Sequence, residues 1–259
     1  MLKVNGIVMI TGASSGIGAA TALKYAQNNF DLILLSRRKE QLEAVAKNIL
    51  ESYPIRVLTL QADVRDYDTC HTILNNIDDS WKAIDILVNN AGLAKGFAPI
   101  HEGNIDHWDT MIDTNIKGLL HITRIVSPWM VQRKNGFIIN LGSIAGKEVY
   151  PNGNVYCASK YGVDALTEAM RIDLLQHGIR VGQICPGHVE QTEFAKVRFD
   201  GDNQKARIYD DFIPLNASDI ADIIFFMTSQ PPHVNIRDIV VTGKQQASAN
   251  IIHRSGRAL

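Results

Sequence analysis

Cysteine is scarce: three residues in 259, Cys70, Cys157 and Cys185. The number is odd and no Cys-x-x-Cys spacing occurs. That excludes a disulfide framework and predicts free thiols in a reducing compartment. Long apolar runs are missing too. No segment reaches the roughly 20 residues of a membrane span. The first apolar stretch, in MLKVNGIVMITG, is too short for a signal peptide and runs directly into a glycine turn. A cytoplasmic protein with no membrane partner is expected. An excess of charge of one sign is also lacking. Lys and Arg number 26 against 27 Asp and Glu, for a net charge of −1. No overall basic field therefore favours nucleic acid. The eight histidines show no paired ligand spacing, so no metal site is expected. Internal repeats, low-complexity segments and linkers are absent.

What is present is alternation. Short apolar runs at Ile7–Thr11, Asp31–Ser36, Ile55–Gln61, Ile84–Val88, Phe137–Leu141 and Ile179–Cys185 read as buried strands. Between them lie helical patterns near 16–29, 39–52, 66–80, 106–133 and 155–177, with a last helix near 218–229 and a strand near 237–241. Strands alternating with helices predict an α/β fold: one Rossmann-type, doubly wound parallel sheet flanked by helices on both faces, as a single domain over 1–259. The stretch 190–214 is the least regular and is a candidate substrate lid. Residues 243–259 form a polar C-terminal tail, either disordered or packed on a neighbouring subunit.

Two local patterns carry chemistry. In Thr11-Gly12-Ala13-Ser14-Ser15-Gly16-Ile17-Gly18, glycines follow a strand and open a helix. Such a turn lets the backbone approach a pyrophosphate, and the helix N-terminus offers unpaired N–H groups. The second strand ends in Ser36-Arg37-Arg38, with no acidic residue to accept from ribose hydroxyls. Two guanidiniums there suit the extra phosphate of NADP. The second pattern is Tyr156-x-x-x-Lys160, which puts both side chains on one helix face. An ammonium near the phenol is expected to lower its pKa toward neutral pH. Ser143, after the strand ending Ile139-Asn140-Leu141, falls at the carboxyl end of the sheet, where such sheets bind ligands.

With TGASSGIG at 11–18, Asp63-Val64, Asn89-Asn90-Ala91-Gly92, Asn115, Ser143, Tyr156-x-x-x-Lys160 and Pro186-Gly187, the chain resembles the short-chain dehydrogenase/reductase family over nearly its whole length. The resemblance implies roles. Tyr156 is the general acid/base and Lys160 lowers its pKa and holds the nicotinamide ribose. Ser143 hydrogen-bonds the reacting oxygen, and Asn115 positions a water linking Lys160 to solvent. Asp63 and Val64 contact the adenine, and Asn90, in its Ala91-Gly92 context, lines the adenosine ribose. Pro186, Gly187 and Val189 face the nicotinamide, with Thr192 near its carboxamide.

Further stretches, NNAGLAKG at 89–96, YPNGNVYCASK at 150–160, TEFAKVRFDGD at 192–202 and PPHVNIRDIVV at 231–241, resemble the NADP-dependent 3-hydroxy acid dehydrogenases. That group includes serine, L-allo-threonine and 3-hydroxypropionate dehydrogenases, and its members are usually homotetramers. A small hydroxy acid requires a clamp for its carboxylate. Arg198 is the first candidate; Lys147, Asn152 and Asn154 are the others. Val241-Thr242-Gly243-Lys244 replaces the Asp-Gly-Gly common after the last strand of acyl-carrier-protein reductases, which counts against that role. A broad carbonyl or dicarbonyl reductase and a non-catalytic NADP-binding regulator are the alternative readings. His188 follows Pro186-Gly187 and is either a substrate contact or a loop histidine.

Overall fold

Each apolar run becomes a strand, and each amphipathic stretch a helix laid against the sheet. The computed structural model describes residues 6–202 and 204–257. Residues 1–5, 203, 258 and 259 of the expected domain lie outside the described residues. In chain order the elements are β1 (Ile7–Thr11), α1 (Gly16–Gln27), β2 (Asp31–Ser36), α2 (Lys39–Ser52), β3 (Val57–Gln61), α3 (Tyr67–Asn75), β4 (Ile84–Asn89), α4 (Ile105–Ile112), α5 (Leu119–Arg133), β5 (Gly136–Leu141), α6 (Asn154–Leu174), β6 (Ile179–Pro186), β7 (Val189–Glu190), α7 (Phe194–Arg198), β8 (Leu215–Asn216), α8 (Ala217–Thr228) and β9 (Asp238–Val241).

Seven strands form one parallel sheet in the order β3-β2-β1-β4-β5-β6-β9. This is the doubly wound arrangement expected. β1 and β2 are buried along their whole length, which explains why they read as continuous apolar runs rather than as alternation. Their side chains still point alternately. Val8 and Ile10 join the core under α1, α2 and α8, while Ile7 and Met9 join the core under α3, α5 and α6. The chain reverses direction of winding between β1 and β4, and that switch point opens a crevice at the carboxyl edge of the sheet.

Three expectations change. The helix near 66–80 stops at Asn75, and Asp78 then starts a separate 3₁₀ turn by accepting from the Ser80 N–H at 2.9 Å. The helix near 106–133 is interrupted: α4 and α5 are joined by a wide π-turn, Asp113–Gly118, of the kind that often marks functional sites. The described part of the tail, 243–257, packs on its own chain. Arg257 grips Glu190 at 2.6 Å, Arg254 pairs with Asp211 at 2.5 Å, and the Gly256 N–H donates to the Asp211 carbonyl at 2.8 Å. The segment 190–214 is therefore fastened at both ends, by the two-stranded β7–β8 pairing and by the tail.

Candidate active site

A cleft of about 840 Å³ runs along the crevice from Arg37 and Arg38 at one end to Arg198 and Tyr150 at the other. Its first wall is the glycine turn. Gly12 takes a φ of +65°, a conformation open to glycine at no steric cost. The Asn90 amide donates to the Thr11 and Gly12 carbonyls at 2.8 and 3.2 Å and holds the turn against β4. Ser15 precedes α1 but its hydroxyl caps no N–H of that helix, whereas Asp66 caps α3 with its side chain. The first turn of α1 thus keeps its N–H groups for an anion. Gly12, Ser14, Ser15, Gly16 and Ile17 line the cleft. Gly18 is not among the lining residues. A Cβ there would lie 2.4 Å from the Gly12 carbonyl oxygen, so its role is close packing of α1 on the turn.

The two arginines at the end of β2 diverge. Arg37 leans toward Asp63, at 3.6 Å. Arg38 turns back over the glycine turn: its Nη2 donates to Ser14 Oγ at 3.0 Å and Ser15 Oγ at 2.7 Å, and its Nη1 meets Glu193 Oε2 at 2.5 Å. Ser36 donates to Ser14 Oγ at 2.9 Å and completes the cluster. β2 itself ends without an acidic residue, in Ser36-Arg37-Arg38. A guanidinium flanked by hydroxyls beside a helix N-terminus fits the 2′-phosphate of NADP. Asp63 and Val64 line the cleft as expected, but the Asp63 carboxylate is engaged by Arg65 at 2.7 Å. Burial pushes the Asp63 carboxyl up, yet the Arg65 hydrogen bonds and the Arg37 charge outweigh it and hold it below the usual range. Asn90, Ala91 and Gly92 form the adjoining floor, and Pro186, Gly187, Val189 and Thr192 the opposite wall.

Ser143, Tyr156 and Lys160 come together midway along the cleft. Ser143 sits where β5 ends, and the first turns of α6 carry Tyr156 and Lys160 one above the other. The Ser143 side chain lies near enough to the Tyr156 phenol to pull its pKa down. Lys160 Nζ donates to the Leu141 carbonyl at 2.7 Å. Burial dominates both titrations. It raises the phenol of Tyr156 above its ordinary value, helped by Tyr150 and opposed by Ser143 and Arg198. It lowers Lys160 to about 8. The expectation that Lys160 draws Tyr156 toward neutral pH does not hold here. The ammonium is itself desolvated, and it is spent on a backbone carbonyl.

Asn115 lies behind the cleft wall. Its side chain is fully committed: it accepts from the Leu93 N–H at 2.9 Å and donates to the Leu93 carbonyl at 2.9 Å and Ser159 Oγ at 3.0 Å. The π-turn puts it there, beside the segment that follows β4.

At the far end α7 presents Arg198, which is 8% exposed. Its Nη1 donates to Tyr150 Oη at 2.9 Å, and its guanidinium lies 4.8, 5.3 and 5.7 Å from the ring centroids of Phe97, Tyr150 and Tyr156. Nε and Nη2 are buried with no hydrogen-bond partner among the described residues. The Gly96 N–H donates to the Arg198 carbonyl at 2.9 Å, which fixes the end of α7. Of the other clamp candidates, Asn152 is not among the cleft-lining residues and two are engaged elsewhere. Lys147 pairs with Asp164 at 2.7 Å and Asp238 at 2.5 Å, and Asn154 donates to the Ala98 carbonyl at 2.8 Å. His188 does line the cleft, and burial lowers its pKa, so the ring is neutral at neutral pH.

Sequence reasoning missed Tyr150, Tyr209 and Glu193. Tyr150 and Tyr209 resemble ordinary loop aromatics until the fold folds them over the cleft. Only its position beside Thr192 pointed to Glu193.

A glycine turn on a helix N-terminus, leading to a buried Ser–Tyr–Lys cluster, defines a nucleotide-binding α/β oxidoreductase site. The short chain dehydrogenase family profile matches residues 6–203, and the chain belongs to the short-chain dehydrogenase family. It is 41% identical over 251 residues to an NADP-dependent 3-hydroxy acid dehydrogenase of Salmonella typhi, covering 96% of this chain and 100% of the relative. It is also 41% identical over 243 residues to sulfoacetaldehyde reductase 2 of Chromohalobacter salexigens, covering 93% and 95%. The closed form of a serine dehydrogenase complexed with NADP+ superposes with a TM-score of 0.90 at 39% identity, covering 96% of this chain and 99% of that one.

Proposed function

We propose that this protein is an NADP-dependent dehydrogenase that oxidises the hydroxyl of small 3-hydroxy acids, of the serine, L-allo-threonine and 3-hydroxypropionate type, or reduces the matching 3-oxo acids. The observation that carries the substrate class is Arg198. A buried guanidinium with two unpartnered nitrogens, Nε and Nη2, is costly, roughly 1–3 kcal/mol for each unmet bond, unless an anion completes it. Its guanidinium lies beside the Tyr156 ring, so one small molecule can reach both.

NADP, when bound, supplies the hydride acceptor or donor. Arg38, Ser14 and the α1 N-terminus hold its phosphates, and Lys160 is within the same floor for its ribose. In reduction, the Tyr156 phenol donates its proton to the carbonyl oxygen as that oxygen gains charge, and Ser143 hydrogen-bonds the same oxygen. Oxidation runs the reverse: the hydroxyl proton passes to the Tyr156 phenolate as hydride leaves carbon. The Asn115 main chain, in its π-turn, is the part of that residue left to position a water near Lys160. Arg198 orients the substrate through its carboxylate. The sulfoacetaldehyde-reducing relative suggests that a sulfonate is an alternative anion for the same clamp. The cytoplasm suits three buried free cysteines. A homotetramer would cover Ile172 and Leu175, 68% and 74% exposed on and after α6, and sedimentation velocity tests it. The whole chain is read as one domain, with 190–214 as its lid.

The direct test follows absorbance at 340 nm with purified protein and NADP+. L-serine, L-allo-threonine, 3-hydroxypropionate and 2-hydroxyethanesulfonate are compared with a neutral alcohol and with NAD+. NADPH formation with the acids and little with the alcohol is expected. Activity confined to neutral ketones or dicarbonyls with NADPH would replace this reading by a broad carbonyl reductase.

A further inference from the structure

Glu193 occupies a position that the catalytic reading leaves unexplained. The chain leaving β7 passes directly over the glycine turn: a Cβ on Gly16 would lie 3.1 and 3.2 Å from Thr192 side-chain atoms. The next residue, Glu193, reaches across the start of α1. Its Oε2 accepts from Ser15 Oγ at 3.0 Å and from Arg38 Nη1 at 2.5 Å. Arg38 Nε and Nη2 donate to Ser14 and Ser15. An acidic side chain from the lid therefore sits on the one guanidinium that faces the glycine turn.

We infer that Glu193, at the root of the lid, is a resident counter-ion of Arg38, a latch that the 2′-phosphate of NADP must displace. The inference rests on the NADP reading above. The exchange is favourable in charge: a phosphate monoester carries roughly two negative charges and three acceptor oxygens against the single charge of a carboxylate. NAD brings no charge to Arg38 and leaves the latch shut. Glu193 thereby moderates the preference for NADP: it lowers the affinity for ligands that engage Arg38, the 2′-phosphate included, and leaves the affinity for NAD untouched. The same chain segment continues into α7 and Arg198. The phosphate end and the substrate end of the cleft are joined by this root.

The ion pair is partly exposed, with 38% of the Arg38 and 48% of the Glu193 side chain accessible. Such a pair holds the latch in place by a factor of roughly two to five. Isothermal titration of the whole protein with adenosine 2′,5′-bisphosphate and with adenosine 5′-monophosphate measures it without turnover. Glu193→Gln is expected to bind the bisphosphate about two- to fivefold more tightly and the monophosphate unchanged. On an Arg38→Ala background the same substitution should have no effect. Three results would overturn the latch: equal tightening of both nucleotides, an unchanged or weaker bisphosphate affinity in Glu193→Gln, or a Glu193→Gln effect that survives Arg38→Ala. If the wild type itself fails to prefer the bisphosphate, the NADP reading falls along with the latch.

Discussion

Arg38 and Arg198 stand at opposite ends of one cleft and are held in opposite ways. Arg38 is half-exposed, surrounded by hydroxyls and paired with a carboxylate that another anion can replace. Arg198 is buried among three aromatic rings, with one hydrogen bond and two nitrogens without a partner among the described residues. An exposed, paired cation selects among ligands at modest cost, because water and Glu193 stand in for the missing partner. A buried, underpaired cation binds with more consequence, because nothing else satisfies it. The first suits a cofactor that comes and goes. The second suits recognition of a small anionic substrate. Between them lies a cluster whose two titratable groups, Tyr156 and Lys160, are both shifted mainly by burial rather than by each other.

The comparison can be broken at its centre first. Tyr156→Phe keeps the ring and loses the proton. Turnover should fall by roughly 10²–10⁴, while NADP affinity, read by titration, should stay within about twofold. An equal loss of both would mean that Tyr156 mainly shapes the cofactor site. At the exposed end, Arg38→Ala should weaken NADP by roughly 10–100-fold, the value of a charge-assisted hydrogen bond to phosphate, and leave NAD unchanged. Loss for both cofactors would remove the distinction drawn between the two ends.

The pH dependence sharpens the middle. Tyr156 is raised, so the phenol is protonated at neutral pH and set to act as an acid. Reduction should be flat near neutrality and decline at alkaline pH, while oxidation should climb with pH as the phenolate forms. Parallel profiles in the two directions would contradict the assignment. The smallest expected effect is on stability. Lys160 titrates at about 8 in the fold against 10.5 as a free side chain. Between those values the unfolded chain binds the extra proton, so the contribution of Lys160 to stability rises with pH, and the full penalty applies below 8. Lys160→Met should therefore stabilise the fold by about 1–2 kcal/mol at pH 7, allowing for the bond lost to Leu141. In urea melts that gain should shrink by pH 10. A gain that is absent, or constant with pH, would show that Lys160 is not desolvated.

The two ends also differ in how far they could be read from sequence. The phosphate end is built by local rules: a buried strand, a glycine turn, a helix start and two arginines lie within 7–38. Tyr156 and Lys160 were legible because helical spacing alone puts them together. Arg198 was reachable only by asking which cation a hydroxy acid needs. Its burial under Phe97 and Tyr150 depends on segments distant in sequence, which no period records. The same holds for Glu193 on Arg38, and for the tail arginines that fasten the lid. The direction of the Tyr156 shift was misjudged because spacing shows proximity but not desolvation. The interruption at Asp113–Gly118 was hidden because a π-turn preserves the apolar pattern of the helix it interrupts.

The account rests most heavily on Arg198 as the group that recognises an acidic substrate. The measurement that tests it is the ratio of kcat/KM for 3-hydroxypropionate to that for 1-propanol, in the wild type and in Arg198→Ala. The account predicts that the ratio collapses by roughly 10–100-fold, through loss on the acid with little change on the alcohol. A ratio that stays the same, whether both activities fall or neither does, would contradict it.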